Sequence, residues 1–264
     1  MKFVAKWMTM GMLAPFLMAQ APQQPAIYAS TVYYHVADEN RVAYEAGAKD
    51  RTRKLFEEVM KADPAVQAAT LSRMMYGGNP EPDANYMLTV FYQGVPKDMS
   101  AVFEQASQKL FGKSYSEYMK ENLPLRKRLG QTLARRIAST PPNLEEGDYI
   151  RVDRRKIAQA RMGDYLQLER DYLPLREAQV KAGRMKSWSA WAMVLPGGSE
   201  REYDAYTSHV AKDLDGALNW GRGQVELNAQ LSQPLNLTGL SMRANDVAKI
   251  ERSDVRRVIM VVRR

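Results

Sequence analysis

Val95-Pro96-Lys97-Asp98-Met99-Ser100-Ala101-Val102-Phe103 returns 115 residues later as Val210-Ala211-Lys212-Asp213-Leu214-Asp215-Gly216-Ala217-Leu218. Two further echoes keep nearly the same interval. Gly77-Gly78 returns at Gly197-Gly198 after 120 residues, and Arg135-Arg136-Ile137 at Arg256-Arg257-Val258 after 121. A period of this size marks two related modules, because solenoid repeats are about 20–50 residues long. The break between them is Thr140-Pro141-Pro142-Asn143, which puts the first module at residues 31–140 and the second at 143–264.

Reading outward from the repeat, each module has the same order of elements. Ser30 to Val36 is β-branched and aromatic and reads as a strand. Residues from Arg41 to Ala62 read as a helix, with Ala48, Thr52, Leu55, Phe56 and Val59 on one face and Asp63-Pro64 as its stop. Strands are expected at 66–76 and 86–93, helices from Lys97 and from Ser114, and a closing strand at 130–139. In the second module a strand at 148–152 leads to a helix from Arg161 to Lys181, in which Pro174 predicts a kink. Strands at 187–195 and 203–210, helical sequence from Leu214 and a last strand at 255–262 complete it.

The order is β-α-β-β-α-β twice, the ferredoxin-like unit in tandem. Each such sheet has helices on one face only, so the two bare faces are expected to pack on each other as a pseudo-dimeric α+β barrel. The chain therefore resembles the dimeric α+β barrel superfamily. It is most similar to the NIPSNAP and antibiotic-biosynthesis-monooxygenase branches, through Glu169, Pro174, Glu177, Lys181-Ala182-Gly183, Trp188, Pro196-Gly197-Gly198 and Tyr203. The resemblance implies a shared architecture. Its members include monooxygenases, isomerases and haem enzymes, so it does not fix a reaction.

Composition narrows the function classes. Cysteine is absent, which excludes disulfides, thiol catalysis and thiolate metal sites. The net charge of +8 is spread over both modules with the signs mixed, whereas a nucleic-acid binder concentrates it in a patch. No nucleic-acid partner is expected. Lys2 and Lys6, the apolar stretch Trp7 to Met18 and Ala19-Gln20-Ala21 have the layout of a secretory signal. Residues 1–21 are expected to be removed, after Ala19 or Ala21, with 22–30 as a linker. The product would be periplasmic or secreted and free of the membrane.

Strand parity supplies candidate site residues. Val32, Tyr34 and Val36 in the first module and Ile150 and Val152 in the second are expected to face the helices. Tyr33, His35, Tyr149, Arg151 and Asp153 would then point between the sheets. The same parity sends Leu88, Val90, Tyr92, Tyr203, Ala205 and Thr207 toward the helices, and Asp204, Tyr206 and Ser208 inward. Trp188 and Trp191 must lie on opposite faces. His209 has no second ligand at helical or strand spacing, and no metal site or cofactor is expected. Neither a G-x-S-x-G elbow nor an H-E-x-x-H motif occurs.

Three readings of function stay open. The first is an exported binding or accessory protein holding a small ligand between the sheets through Tyr33, His35, Tyr149, Arg151, Asp153 and Tyr206. The second is a cofactor-independent enzyme of monooxygenase or isomerase type, with His35 as base, Arg151 stabilising an enolate-like anion and Asp153 beside them. The third is a structural protein whose barrel is filled by side chains.

Overall fold

A computed structural model describes residues 25–77, 84–198 and 201–264. The leader lies outside the described residues, as do Gly78 of the first Gly-Gly turn and Ser199 after the second. The first module contains β1 (Ile27–His35), α1 (Arg41–Gly47), α2 (Arg53–Ala62), β2 (Val66–Gly77), β3 (Tyr86–Gln93), α3 (Ser100–Phe111), α4 (Tyr115–Asn122) and β4 (Lys127–Ser139). The second contains β5 (Tyr149–Ile157), α5 (Met162–Asp171), α6 (Leu173–Lys181), β6 (Ser187–Leu195), β7 (Ala205–Ala211), α7 (Leu214–Leu218), α8 (Gln224–Ala229), α9 (Leu237–Val247) and β8 (Ala248–Arg263).

The local chemistry explains most boundaries. Leu55, Phe56, Val59 and Met60 form the buried stripe of α2. The helix stops where Asp63 turns extended and its carboxylate accepts the Ala65 N–H at 2.8 Å. Ser114 and Glu117 close a reciprocal capping box on α4. Gly112 ends α3 in the left-handed region at φ 64°, which a side chain would strain.

Four expectations need correction. The sheet begins at Ile27, so residues 27–30 belong to β1 and not to a linker. The first long helix is interrupted by a π turn over Ala48–Thr52. Pro174 does not kink a helix. It stands in the first turn of α6, after a break at Tyr172, where its missing N–H has no partner to lose. The last strand starts at Ala248, seven residues before the apolar run that announces it.

The eight strands form one closed antiparallel barrel in the order β1-β3-β2-β8-β5-β7-β6-β4. Each module contributes four neighbouring strands in the same sequence: β4-β1-β3-β2 from the first and β8-β5-β7-β6 from the second. The seams are also equivalent, β2 to β8 and β6 to β4. Helices cover the outside. Over the first module they bury an apolar core around Leu55, Phe56, Val59, Leu71, Tyr86 and Met260. Leu88, Val90 and Tyr92 pack into that core, as their parity predicts.

Closure has a consequence for a separated module. Residues 143–264 alone would present β6 and β8 as free edges and bare the inner face. Two copies can pair β6 with β8 twice and rebuild a barrel. Expressed alone, this segment should be a dimer or an aggregate by light scattering. A folded, soluble monomer would contradict the paired-sheet arrangement.

Candidate functional site

The barrel encloses a cavity of about 500 Å³. That lies within the range of small-molecule sites, about 300–1,000 Å³. Eight strands leave room for packed side chains or for one small ligand.

Beside aliphatic residues such as Ile150 and Val152, three kinds of side chain line it. On the first module, Thr132, Thr31, Thr89 and Thr70 stand in register on β4, β1, β3 and β2. Thr31 and Thr89 share a hydrogen bond of 2.9 Å. Ser189 and Ser208 repeat the arrangement across β6 and β7 at 2.7 Å. The second kind is aromatic. Trp191 stacks on Tyr206 with centroids 6.0 Å apart and planes at 14°, and Phe91 lies 5.7 Å from Trp191. The Tyr33 and Tyr203 hydroxyls meet at 3.3 Å. Burial raises the phenol pKa of Tyr203 and Tyr206, so both are neutral groups in this wall.

The third kind is cationic. Among the described residues the lining includes Arg136, Arg154, Arg256, Arg263 and Arg264, and no histidine, lysine or acidic side chain. Arg154 and Arg256 share one carboxylate. Asp254 accepts from Arg256 Nε at 2.6 Å and Nη2 at 3.2 Å, and from Arg154 Nη1. Burial lowers the pKa of Arg154, but Asp254, Tyr33 and Tyr203 together outweigh it and the value is raised.

The structure separates the residues expected to share this space. Tyr33, Tyr206 and Ser208 line the cavity. His35 is half-buried at the end of β1, beyond a bulge, and is not among the lining residues. Tyr149, Arg151 and Asp153 point outward to the helices, while Ile150 and Val152 face the cavity, the reverse of the expected parity. The physical reason is that both faces of this sheet are buried. An apolar set then does not identify the helix side. Tyr203 precedes β7 and enters the cavity, and Asp204 caps Ile157 N–H at 2.8 Å outside the lining set. Trp191 faces the cavity, whereas the Trp188 ring packs under α6 with Leu173 and Val180.

Arg151 and Asp153 belong to a buried charged cluster between β5, β7 and α5–α6. Asp153 accepts from Arg151 Nε at 2.8 Å and Ser253 Oγ at 2.6 Å. The histidine beside them is His209, 1% exposed, with Nε2 at 3.7 Å from Asp153 and 3.3 Å from Thr207 Oγ1. Its ring lies on Trp220, 4.1 Å between centroids. Arg176 is caged by Tyr172, Trp188 and Trp220, and burial lowers its pKa to about 10.

The superfamily that the sequence resembles includes haem enzymes, but a haem has no ligand here. His209 is covered by Trp220 and Thr207, and neither histidine lines the cavity, so the residues do not fit an iron-bound macrocycle. Among the described residues no group of three or more His, Asp or Glu could hold a metal ion.

Alternation does not reveal the sidedness of β5, and of the lining arginines the sequence marks Arg136 and Arg256 only as members of the repeat. A signal was present: Thr132, Ala134 and Arg136 alternate on one face of β4. The repeated Arg-Arg pair marks the module, and its inward member is Arg136 in one copy and Arg256 in the other. Their spacing is 120, the same as that of the Gly-Gly turns, so the pairing at 121 is shifted by one residue.

His209 gives a pH dependence with a definite sign. Burial, then Arg176, Arg155 and Arg151, hold its pKa well below 6.5. Asp153 Oδ2 lies 3.7 Å from Nε2, beyond hydrogen-bond distance, and does not reverse this. Folded His209 is neutral, while the unfolded chain takes up a proton as the pH falls through about 6.5. Stability should therefore fall below that pH by about 1.4 kcal/mol per unit until the folded value is reached. Urea melts from pH 7.5 to 5 should show this slope in the wild type and its loss in His209→Gln. Equal slopes would contradict a neutral buried His209.

No family model matches the sequence, and no curated protein matches it. Solved structures match its fold. A presumed monooxygenase from Lactobacillus acidophilus NCFM superposes with a TM-score of 0.54 at 10% identity, over 91% of this chain and 97% of that one. A presumed monooxygenase from Fusobacterium nucleatum subsp. nucleatum ATCC 25586 gives 0.54 at 10% identity, over 91% and 95%. A presumed chlorite dismutase, TA0507, gives 0.48 at 11% identity, over 89% and 95%. Likeness at such identities is likeness of fold: the chain is an α+β protein in which two ferredoxin-like units close an eight-stranded antiparallel barrel.

Proposed function

We propose that this is an exported small-molecule-binding or accessory protein that holds one planar ligand inside its barrel. The observation that carries the reading is the cavity of about 500 Å³ between an aromatic wall and a row of hydroxyls. A flat ring would lie against Trp191 and Tyr206, and its polar edge would meet the threonines. Apolar area gives affinity in such a site, and a few placed polar groups give orientation.

The filled-barrel reading is disfavoured by the volume. The enzyme reading draws on the fold shared with presumed monooxygenases and on the resemblance to the antibiotic-biosynthesis-monooxygenase branch. It needs a base and an anion stabiliser in one place. His35 and Arg151 occupy different faces of the barrel wall, and the lining holds no histidine or carboxylate. Export rests on the layout of residues 1–21. No helix among the described residues is long and apolar enough to cross a membrane.

Native mass spectrometry of the protein isolated from its natural compartment tests both parts. The polypeptide mass should lack residues 1–19 or 1–21. The native ion should carry an extra small mass that is shed on denaturation and absent from Ser208→Phe, which fills the cavity. A bare polypeptide mass in both proteins would contradict the binding reading, and a retained leader would contradict export.

A further inference from the structure

Among the inward positions at which the two modules differ, one pair lies beside the repeated arginines. Arg256 on β8 is followed back two residues, on the same face, by Asp254, which neutralises it. Arg136, 120 residues earlier, also faces inward from β4, and two residues back stands Ala134. Ala134 is 1% exposed and packs with Trp191 and Tyr203. Duplication preserved the inward arginine in both copies but not its carboxylate.

Arg136 consequently has no hydrogen-bond or ion-pair partner among the described residues, although it is half-buried on the cavity wall. Burial depresses its pKa and no carboxylate offsets this. It pairs in register with Trp191 across the β4–β6 seam, so the free guanidinium borders the aromatic wall. Deeper in the barrel, Arg154 and Arg256 both pair with Asp254. Among the described residues no carboxylate of the lining balances Arg136. A guanidinium kept partly from water and without a counterion favours a planar oxyanion, which it can grip with two parallel hydrogen bonds.

We propose that the barrel selects an aromatic ligand bearing a planar oxyanion such as a carboxylate, and that Arg136 is the cation that pairs with it. This rests on the cavity being a ligand site, and it names the class of ligand. The Arg154–Asp254–Arg256 group positions the floor, and the Trp191–Tyr206 face takes the ring.

The test uses matched pairs that differ in charge and not in shape: benzoate with benzamide, and 2-naphthoate with 2-naphthamide. Binding to the full-length mature protein is read by calorimetry. The carboxylate should bind about tenfold or more tighter than its amide, the scale of one charge-assisted hydrogen bond. Arg136→Gln should bring the two members of a pair together, and Arg136→Lys should restore part of the difference. Ala134→Asp, which supplies the missing carboxylate, should also abolish the preference while the thermal midpoint shows the variant folded. Should Ala134→Asp fail to fold, the Gln and Lys variants decide the matter. Equal binding of acid and amide would overturn the anion inference and leave the cavity reading standing. A preference that survives in Arg136→Gln would overturn the assignment of Arg136. Binding of neither member of either pair would overturn both the inference and the reading beneath it.

Discussion

Two backbone seams hold the architecture together, β2 against β8 and β4 against β6. An open four-stranded sheet has two edges with unpaired N–H and C=O groups and one face that helices cannot cover. Joining two such sheets at both edges satisfies the edges and covers the faces in one step. β8 is 16 residues long and pairs with β2 on one side and β5 on the other, so it serves as seam and wall together. Closure also sets the interior volume, because strand number fixes how wide the barrel can be.

Duplication lets the halves diverge while the seams keep their form. Outside the barrel, the first module buries an ordinary apolar core, while the second buries Arg151, Asp153, Arg155, Glu169, Arg176 and His209 against its helices. Buried charges of this kind are costly to desolvate and are held by mutual pairing and aromatic cover. Inside, the second copy has Asp254 where the first has Ala134, and its β5 adds Arg154 to the lining. A homodimer would have to carry the same residue at both places. A single chain can neutralise one arginine and leave the other for a ligand.

The fold was readable because it depends on periodicity and order. The strands at 86–93 and 187–195 fall where their β-branched and aromatic runs begin and end. Asp63-Pro64 stops its helix through a local Asx contact that the sequence announces. The sidedness of β5 was not readable. Ile150 and Val152 alternate with Tyr149, Arg151 and Asp153, and alternation reveals the interior only when the other face is wet. Here the helix side is itself buried and charged, so the rule inverts. The His–Asp–Arg grouping expected in the cavity does exist, but outside it and with His209 in place of His35, because cross-strand register brings β7 to β5. Arg136 and Arg256 were visible as a repeat marker. Their inward direction depends on strand register and bulges, which pattern alone does not supply.

The central claim is that the closed barrel offers a ligand a site between the aromatic wall and Arg136. A crystal structure of the protein with 6-bromo-2-naphthoate, read by the anomalous signal of bromine, addresses it most directly. The account predicts a single strong peak inside the barrel against Trp191 and Tyr206, with the carboxylate on the Arg136 guanidinium. A peak confined to the outer surface, or a barrel centre filled by side chains, would contradict it.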